Sequence, residues 1–153
     1  MEFKPVVCNL DTELYGIDIN CVRGIEKTQE IVRVPNTASY IKGIMNLRGD
    51  IIPVYSLRQK FGLPDIKGEN AQYIIVRIGK MPLAIEVDGV GEIFDADASQ
   101  VIDAPPIILS EKTKYVDKVV NANGRLILII NIDKLLDDDE LYGASALIDA
   151  ATK

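Results

Sequence analysis

Few residues in this sequence have the types and spacing for chemistry. Glu86 and Asp88 are two carboxylates one strand repeat apart, the arrangement of a general acid–base pair. Asp95, Asp97 and Ser99 occupy the first three ligand positions of an EF-hand loop, Gly89-Val90-Gly91 begins a dinucleotide-binding turn, and Cys8 and Cys21 are the two thiols. Each pattern then fails. The chain has no histidine, so it lacks the usual neutral-pH base and the orienting partner of a Ser–His or Cys–His pair. In the EF-hand frame the turn glycine is Gln100 and the terminal glutamate is Pro106; the third dinucleotide glycine is missing, and the cysteines are too far apart for a zinc knuckle. Glu86 and Asp88 read as solvated strand positions, and Arg48-Gly49-Asp50, although it is the tripeptide integrins read in secreted ligands, reads as a hairpin turn.

The elements that carry these residues are short and β-like. In 153 residues, 48% hydrophobic content supplies one domain, or two very small subdomains. A net charge of −6 argues against nucleic acid or an anionic membrane as partner. No apolar run approaches the roughly 18 residues that span a bilayer, and Met1 to Pro5 has no signal-peptide character, so direct membrane insertion is not expected and the cysteines read as buried small hydrophobes. Ile44 to Leu47 and Ile51 to Val54, joined through Arg48-Gly49-Asp50, form a hairpin; Pro53 predicts an edge strand or a nitrogen turned outward. Ser56 is a helix N-cap for a turn or two over 57–61, stopped by Gly62 and Pro64. Val22 to Ile25 reads as a short helical turn, 31–34 as a strand, and 65–70 as a linker.

The pattern then repeats. Gly16-Ile17-Asp18-Ile19 aligns with Ala84-Ile85-Glu86-Val87, which puts Val22 and Ile25 on Val90 and Ile93. Ile31 to Pro35 aligns with Val101 to Pro105, Asn46-Leu47-Arg48-Gly49 with Asn121-Ala122-Asn123-Gly124, and Ile51 to Phe61 with Leu126 to Leu136. Two similar halves of about five strands each follow, too small to stand alone and expected to pack together around a groove. The split falls approximately at 14–80 and at 81–136 plus the N-terminal strand, and 137–153 is an acidic start followed by a helix over about 139–150.

The hairpin stretch also resembles the signature of the CheW family, the adaptors of bacterial chemotaxis: Ile41, Lys42, Gly43, Asn46, Leu47, Arg48, Gly49, Ile51, Pro53, Val54, Leu57 and Arg58 match a pattern of the form I-K-G-x-x-N-L-R-G-x-I-x-P-V-x-D-L-R. The likeness runs from about Lys4 to Leu136 and implies an all-β-dominated fold of two five-stranded SH3-like barrels around a shared apolar core. It implies a non-catalytic adaptor without cofactor or metal, cytoplasmic and recruited to receptor arrays, which bridges the cytoplasmic tip of a chemoreceptor and the regulatory domain of the kinase CheA. By that resemblance the receptor-binding residues are Val22, Gly24, Ile25, Gly43, Arg48 and Val90, and the kinase-binding residues are Ile102, Pro105 and Ile107. Gly24 stands where the family often has glutamate, so the charged contact is absent or supplied by Glu26; Ser56 replaces the usual aspartate. Bland readings stand beside these: Val22 and Ile25 as core, Arg48 as a tie between the barrels through backbone carbonyls, and 105–109 as a loop packed on the second barrel. The alternatives for the whole chain are the adaptor module of a CheV-type protein and, from another class, a small-ligand-binding β-barrel or an enzyme of unrecognised type using carboxylates.

Overall fold

A computed structural model describes residues 3–27, 30–34, 40–64, 71–103 and 115–136, together with Ala144 and Ile148. Among these residues the strands in chain order are β1 (Pro5–Leu10), β2 (Glu13–Asp18), β3 (Val22–Glu26), β4 (Ile41–Leu47), β5 (Asp50–Ser56), β6 (Gln72–Ile78), β7 (Met81–Val87), β8 (Gly89–Ile93), β9 (Val101–Asp103), β10 (Val116–Ala122) and β11 (Arg125–Ile130). Two short helices, α1 (Leu57–Lys60) and α2 (Ile132–Leu135), follow β5 and β11. The strands make a six-stranded sheet, ordered β8-β1-β2-β11-β10-β9, and a five-stranded sheet, ordered β3-β6-β7-β5-β4.

The expected duplication is present in the pairing itself. The β4–β5 hairpin closes on Leu47 and Asp50, with Arg48 and Gly49 between them at φ 52° and 93°. The β10–β11 hairpin closes on Ala122 and Arg125, with Asn123 and Gly124 at 57° and 96°. Two positive φ values in a two-residue loop are the signature of a type I′ turn, whose twist matches that of the strands. In each loop the glycine N–H donates to an asparagine side chain: Gly49 to Asn46 Oδ1 at 2.9 Å, Gly124 to Asn121 Oδ1 at 2.8 Å. Ser56 and Asn131 cap α1 and α2 by accepting from Gln59 N and Asp133 N.

Each half lends its leading hairpin to the other half's sheet. The β1–β2 hairpin lies with β8, β10 and β11, while β6–β7 lies with β3, β4 and β5. Parallel pairing fixes the exchange: Gly16 lies opposite Ile129, and its counterpart Ala84 opposite Val54. The compact units are therefore Met1–Val22 with Asp88–Leu135, and Arg23–Val87 with Leu136–Lys153. They cut the chain elsewhere than at the expected 80/81, because β2 is bound to β11 and β7 to β5. Each unit buries its own apolar cluster: Val7, Val120, Ala122, Ile127 and Ile129 in one, and Met45, Ile52, Val54, Tyr73 and Ile75 in the other.

Three local expectations change. Val22 to Glu26 is strand, not a helical turn; the turn is a 3-10 segment at Ile19–Cys21, capped by the Asp18 carboxylate accepting from Asn20 N. The alternating burial of β3 and the β-branched Val22 and Ile25 fit a pleated edge. Pro53 lies in an interior strand, between β4 and β7. It is tolerated because Ile44, opposite it, spends its N–H and C=O on Val32, at 2.9 Å each. Ile44 and Pro53 are then a non-hydrogen-bonded pair, and the bare nitrogen points toward β7, where registered pairing begins only at Val54. Of the segment 31–34, Val32 forms a single bridge to Ile44. In the tail, Ala144 and Ile148 are helical and Ala144 is buried; the rest of that expected helix lies outside the described residues.

Candidate partner-binding site

The unit containing β3 to β7 carries a cleft of about 470 Å³. Its apolar wall is Leu47, Ile52, Ile75 and Pro82, and its charged rim is Arg23, Glu26, Arg48, Asp50 and Arg77. Strand periodicity builds this arrangement. On β6, Tyr73 and Ile75 face the core cluster, and Arg77 continues the same row past the end of the apolar layer. On β3, Gly24 and Glu26 share the half-buried face, while Arg23 and Ile25 face outward.

The I′ turn projects Arg48, whose side chain is 80% exposed, and its Nη2 lies 3.1 Å from Glu26 Oε1. Glu26 lies one pleat further along β3 than Gly24 and shares its half-buried face. The Arg48 partner described here lies within its own unit, so the reading of Arg48 as a tie between barrels is not what the contacts give. Gly24 itself is open: a Cβ built there meets nothing within 4 Å, and the backbone is not in the left-handed region.

The other expected receptor residues separate. Ile25 is 41% exposed, against the reading of it as core, whereas Val22 is half-buried on the opposite face of β3. Gly43 is buried where the 31–32 segment crosses β4; an added Cβ would run into the Val32 carbonyl and come within 2.9 Å of the Ile31 side chain. Its glycine is demanded by packing. Val90, the counterpart of Val22, is half-buried on β8 at a sheet edge, opposite Cys8. On the expected kinase surface, Ile102 is 50% exposed on the edge strand β9. Pro105 and Ile107 lie outside the described residues.

The residues considered for catalysis have other work. Glu86 is buried, contrary to a solvated strand position: its carboxylate accepts from Lys42 Nζ at 2.9 and 3.1 Å and from Tyr73 OH at 3.1 Å. Asp88 accepts from the Asp11 N–H at 2.7 Å and steadies the β1–β2 loop. Asp97 opens a 3-10 turn, its own N–H donating to Gln100 Oε1 at 2.9 Å. Among the described residues no group of three or more Asp, Glu, Cys or His could hold a metal ion. Cys8 and Cys21 are free thiols; burial, with Asp88 adding to it, pushes the Cys8 thiol up to about 12, a value at which it is inert. Tyr15 is likewise raised, by burial and by its 2.7 Å bond to Glu13. Two features escaped sequence reasoning: the Lys42–Glu86–Tyr73 tie and Arg77. The row Tyr73, Ile75, Arg77 at a spacing of two was the signal for the second.

Two β units, one of them carrying a cleft with a charged rim, have the build of a binding module. Residues 4–140 match the CheW-like domain model, and the chain belongs to the CheW family. It is 34% identical over 149 residues to a chemotaxis protein CheW of Klebsiella aerogenes, covering 97% of this chain and 87% of that protein. With the Treponema pallidum chemotaxis protein CheW it shares 30% identity over 145 residues, 92% of this chain and 85% of the relative. The crystal structure of the scaffolding protein TtCheW from Thermoanaerobacter tengcongensis superposes with a TM-score of 0.82 at 33% identity, over 92% of this chain and 96% of that one. The two β units are the paired SH3-like barrels of this family.

Proposed function

We propose that the chain is a chemotaxis coupling adaptor that joins chemoreceptors to the histidine kinase CheA and catalyses nothing itself. The observation that carries this is the geometry of Arg48. The fold needs a left-handed residue at this turn, for which asparagine is better suited, and the other half uses Asn123. An arginine held there, 80% exposed at the charged rim of a cleft, is placed for a partner. Relatives named as chemotaxis proteins and a structural neighbour titled a scaffolding protein support the same reading. The receptor-binding residues in this reading are Val22, Gly24, Ile25, Arg48 and Val90, together with Gly43, which packs against the 31–32 segment. The kinase-binding residues in this reading are Ile102, Pro105 and Ile107. The adaptor works in the cytoplasm at membrane-associated receptor arrays and needs no cofactor; among the described residues no helix is long and apolar enough to cross a membrane.

The test is a pull-down of the purified chain with a CheA regulatory domain and, separately, with a chemoreceptor signalling fragment. Wild type should retain both. Arg48→Glu should stay folded by circular dichroism and lose the receptor fragment more than the kinase domain. A folded wild type that retains neither refutes the adaptor reading, and an Arg48→Glu variant that unfolds makes the residue structural.

A further inference from the structure

The arginines of the cleft rim are missing from the other half of the repeat. Arg77 stands opposite Pro82 on the β6–β7 hairpin, and Asn9 takes its place opposite Leu14 on β1–β2. By the same alignment Gly91 is the counterpart of Arg23, and Asn123 that of Arg48. Three cations that line one cleft thus have three neutral counterparts in a half built from the same hairpins. The fold does not require them.

Two of the three are also unspent. Glu26 holds Arg48 at 3.1 Å, but among the described residues the side chains of Arg23 and Arg77 make no ion pair or hydrogen bond. Both are exposed, on the neighbouring strands β3 and β6. In a chain of net charge −6, two free guanidiniums at one cleft make a local site for an anion, and their planar forks of N–H donors match phosphate oxygens. The rest of the rim suits more than a bare anion. Asp50, which also makes no ion pair among the described residues, accepts hydrogen bonds and so fits a hydroxyl or amino group. Leu47 and Pro82 are half-buried and offer apolar surface to a flat ring. A volume of about 470 Å³ holds a small molecule that carries all three kinds of group.

We propose that this cleft binds a nucleoside diphosphate. Arg23 and Arg77 take the phosphate oxygens, Asp50 accepts from the ligand's hydroxyl or amino groups, and the base lies against Leu47 and Pro82. Arg48 stays with Glu26. The step is binding alone, with no bond made or broken, and it involves neither receptor nor kinase, so it stands or falls apart from the adaptor reading.

The test titrates the full chain, labelled with nitrogen-15, with ADP, pyrophosphate and adenosine at low salt and without magnesium. ADP at millimolar concentration should shift the amides of Arg23, Leu47 and Arg77, and pyrophosphate and adenosine should each bind about fivefold more weakly or worse. Arg23→Gln and Arg77→Gln should each weaken ADP about fivefold or more, because each removes a charge-assisted contact. Arg125→Gln, in the other unit, should change it by less than about twofold. The replaced side chains are exposed, and circular dichroism checks that each variant is folded; should one misfold, the other carries the comparison. If pyrophosphate binds as tightly as ADP, the nucleoside is overturned. If ADP shifts none of those amides, or shifts them equally in wild type and in both cleft variants, the site itself is overturned. A failed pull-down with receptor and kinase would refute the adaptor reading and leave this result as it stands.

Discussion

The β4–β5 and β10–β11 hairpins are one structure built twice. Both have a register shift at the same place, between Ile41 and Gly43 and between Val116 and Lys118. In both, a tyrosine carbonyl accepts from the cap residue: Tyr40 O from Ser56 N at 2.8 Å, and Tyr115 O from Asn131 N at 2.6 Å. They differ in what the shared positions hold. Arg48 faces Asn123, Lys42 faces Asp117, and Asp50 faces Arg125. Where the halves agree, the residue answers to the backbone: an I′ turn, a bulge, a cap. Where they differ, one half is free to serve something other than the fold.

Four measurements sharpen or break this comparison. The largest effect sets Cys8 against Val76, its counterpart on β6. The folded thiol is held at about 12 against an ordinary 9.0. A raised acid pKa means that the folded state keeps a proton the unfolded state has lost. Its contribution is therefore complete below pH 9.0 and is lost as pH rises through 12, at roughly 1.4 kcal/mol per pH unit. Cys8→Val should flatten the alkaline slope of denaturant-derived stability; an unchanged slope would place the cause elsewhere.

Second is Lys42, which neutralises a carboxylate only 8% exposed. Lys42→Ala strands Glu86 and should cost about 3 kcal/mol, whereas Asp117→Ala, which removes only an acceptor of Asn131 Nδ2, should cost about 1 kcal/mol. Equal losses in urea melts would mean that the two ties are equivalent after all.

Third is exchange of the turn residues. Arg48→Asn should raise stability by about 0.5–1 kcal/mol, and Asn123→Arg should lower it by a similar amount, because asparagine tolerates the left-handed region better. If the arginine serves a partner, Arg48→Asn also loses the receptor fragment while gaining in melting temperature. A variant less stable than wild type would show that the Glu26 pair outweighs the turn. The smallest effect belongs to Arg125→Ala, which breaks a pair more than half exposed on both sides and should cost no more than about 0.5 kcal/mol, an effect that salt should erase.

Much of this was legible in the sequence because its causes are local. Arg48-Gly49 and Asn123-Gly124 between apolar runs specify hairpins, Ser56 and Asn131 specify caps, and the repeat alignment gave the correspondences that the parallel pairings bear out. The hairpin exchange was not legible. Each half carries the same strand pattern, so periodicity gives no preference for pairing β2 with β5 or with β11; that choice is made by tertiary packing. Glu86 misled for a related reason. A lone glutamate in a strand looks solvated, yet Leu83, Ala84, Ile85 and Val87 are all buried, and such an unbroken row marks a strand covered on both faces. The cleft was half legible: Arg48 and Gly24 stood out through the family signature, while Arg77 needed the β6 face to be followed to its end.

The hairpin exchange also orders events in time. Among the described strands β1 and β2 are made earliest, and β2 pairs with β11, which is made latest. The strands β3 to β7 form a contiguous run and can close their sheet as soon as they are complete, but the first hairpin must wait through most of translation with its β11-facing edge unmatched. An unmatched edge invites pairing with another chain, and closing it late over so long a separation is slow. The sheet that begins first is thus the later of the two to close, and the step most exposed to aggregation is the arrival of Arg125–Ile130.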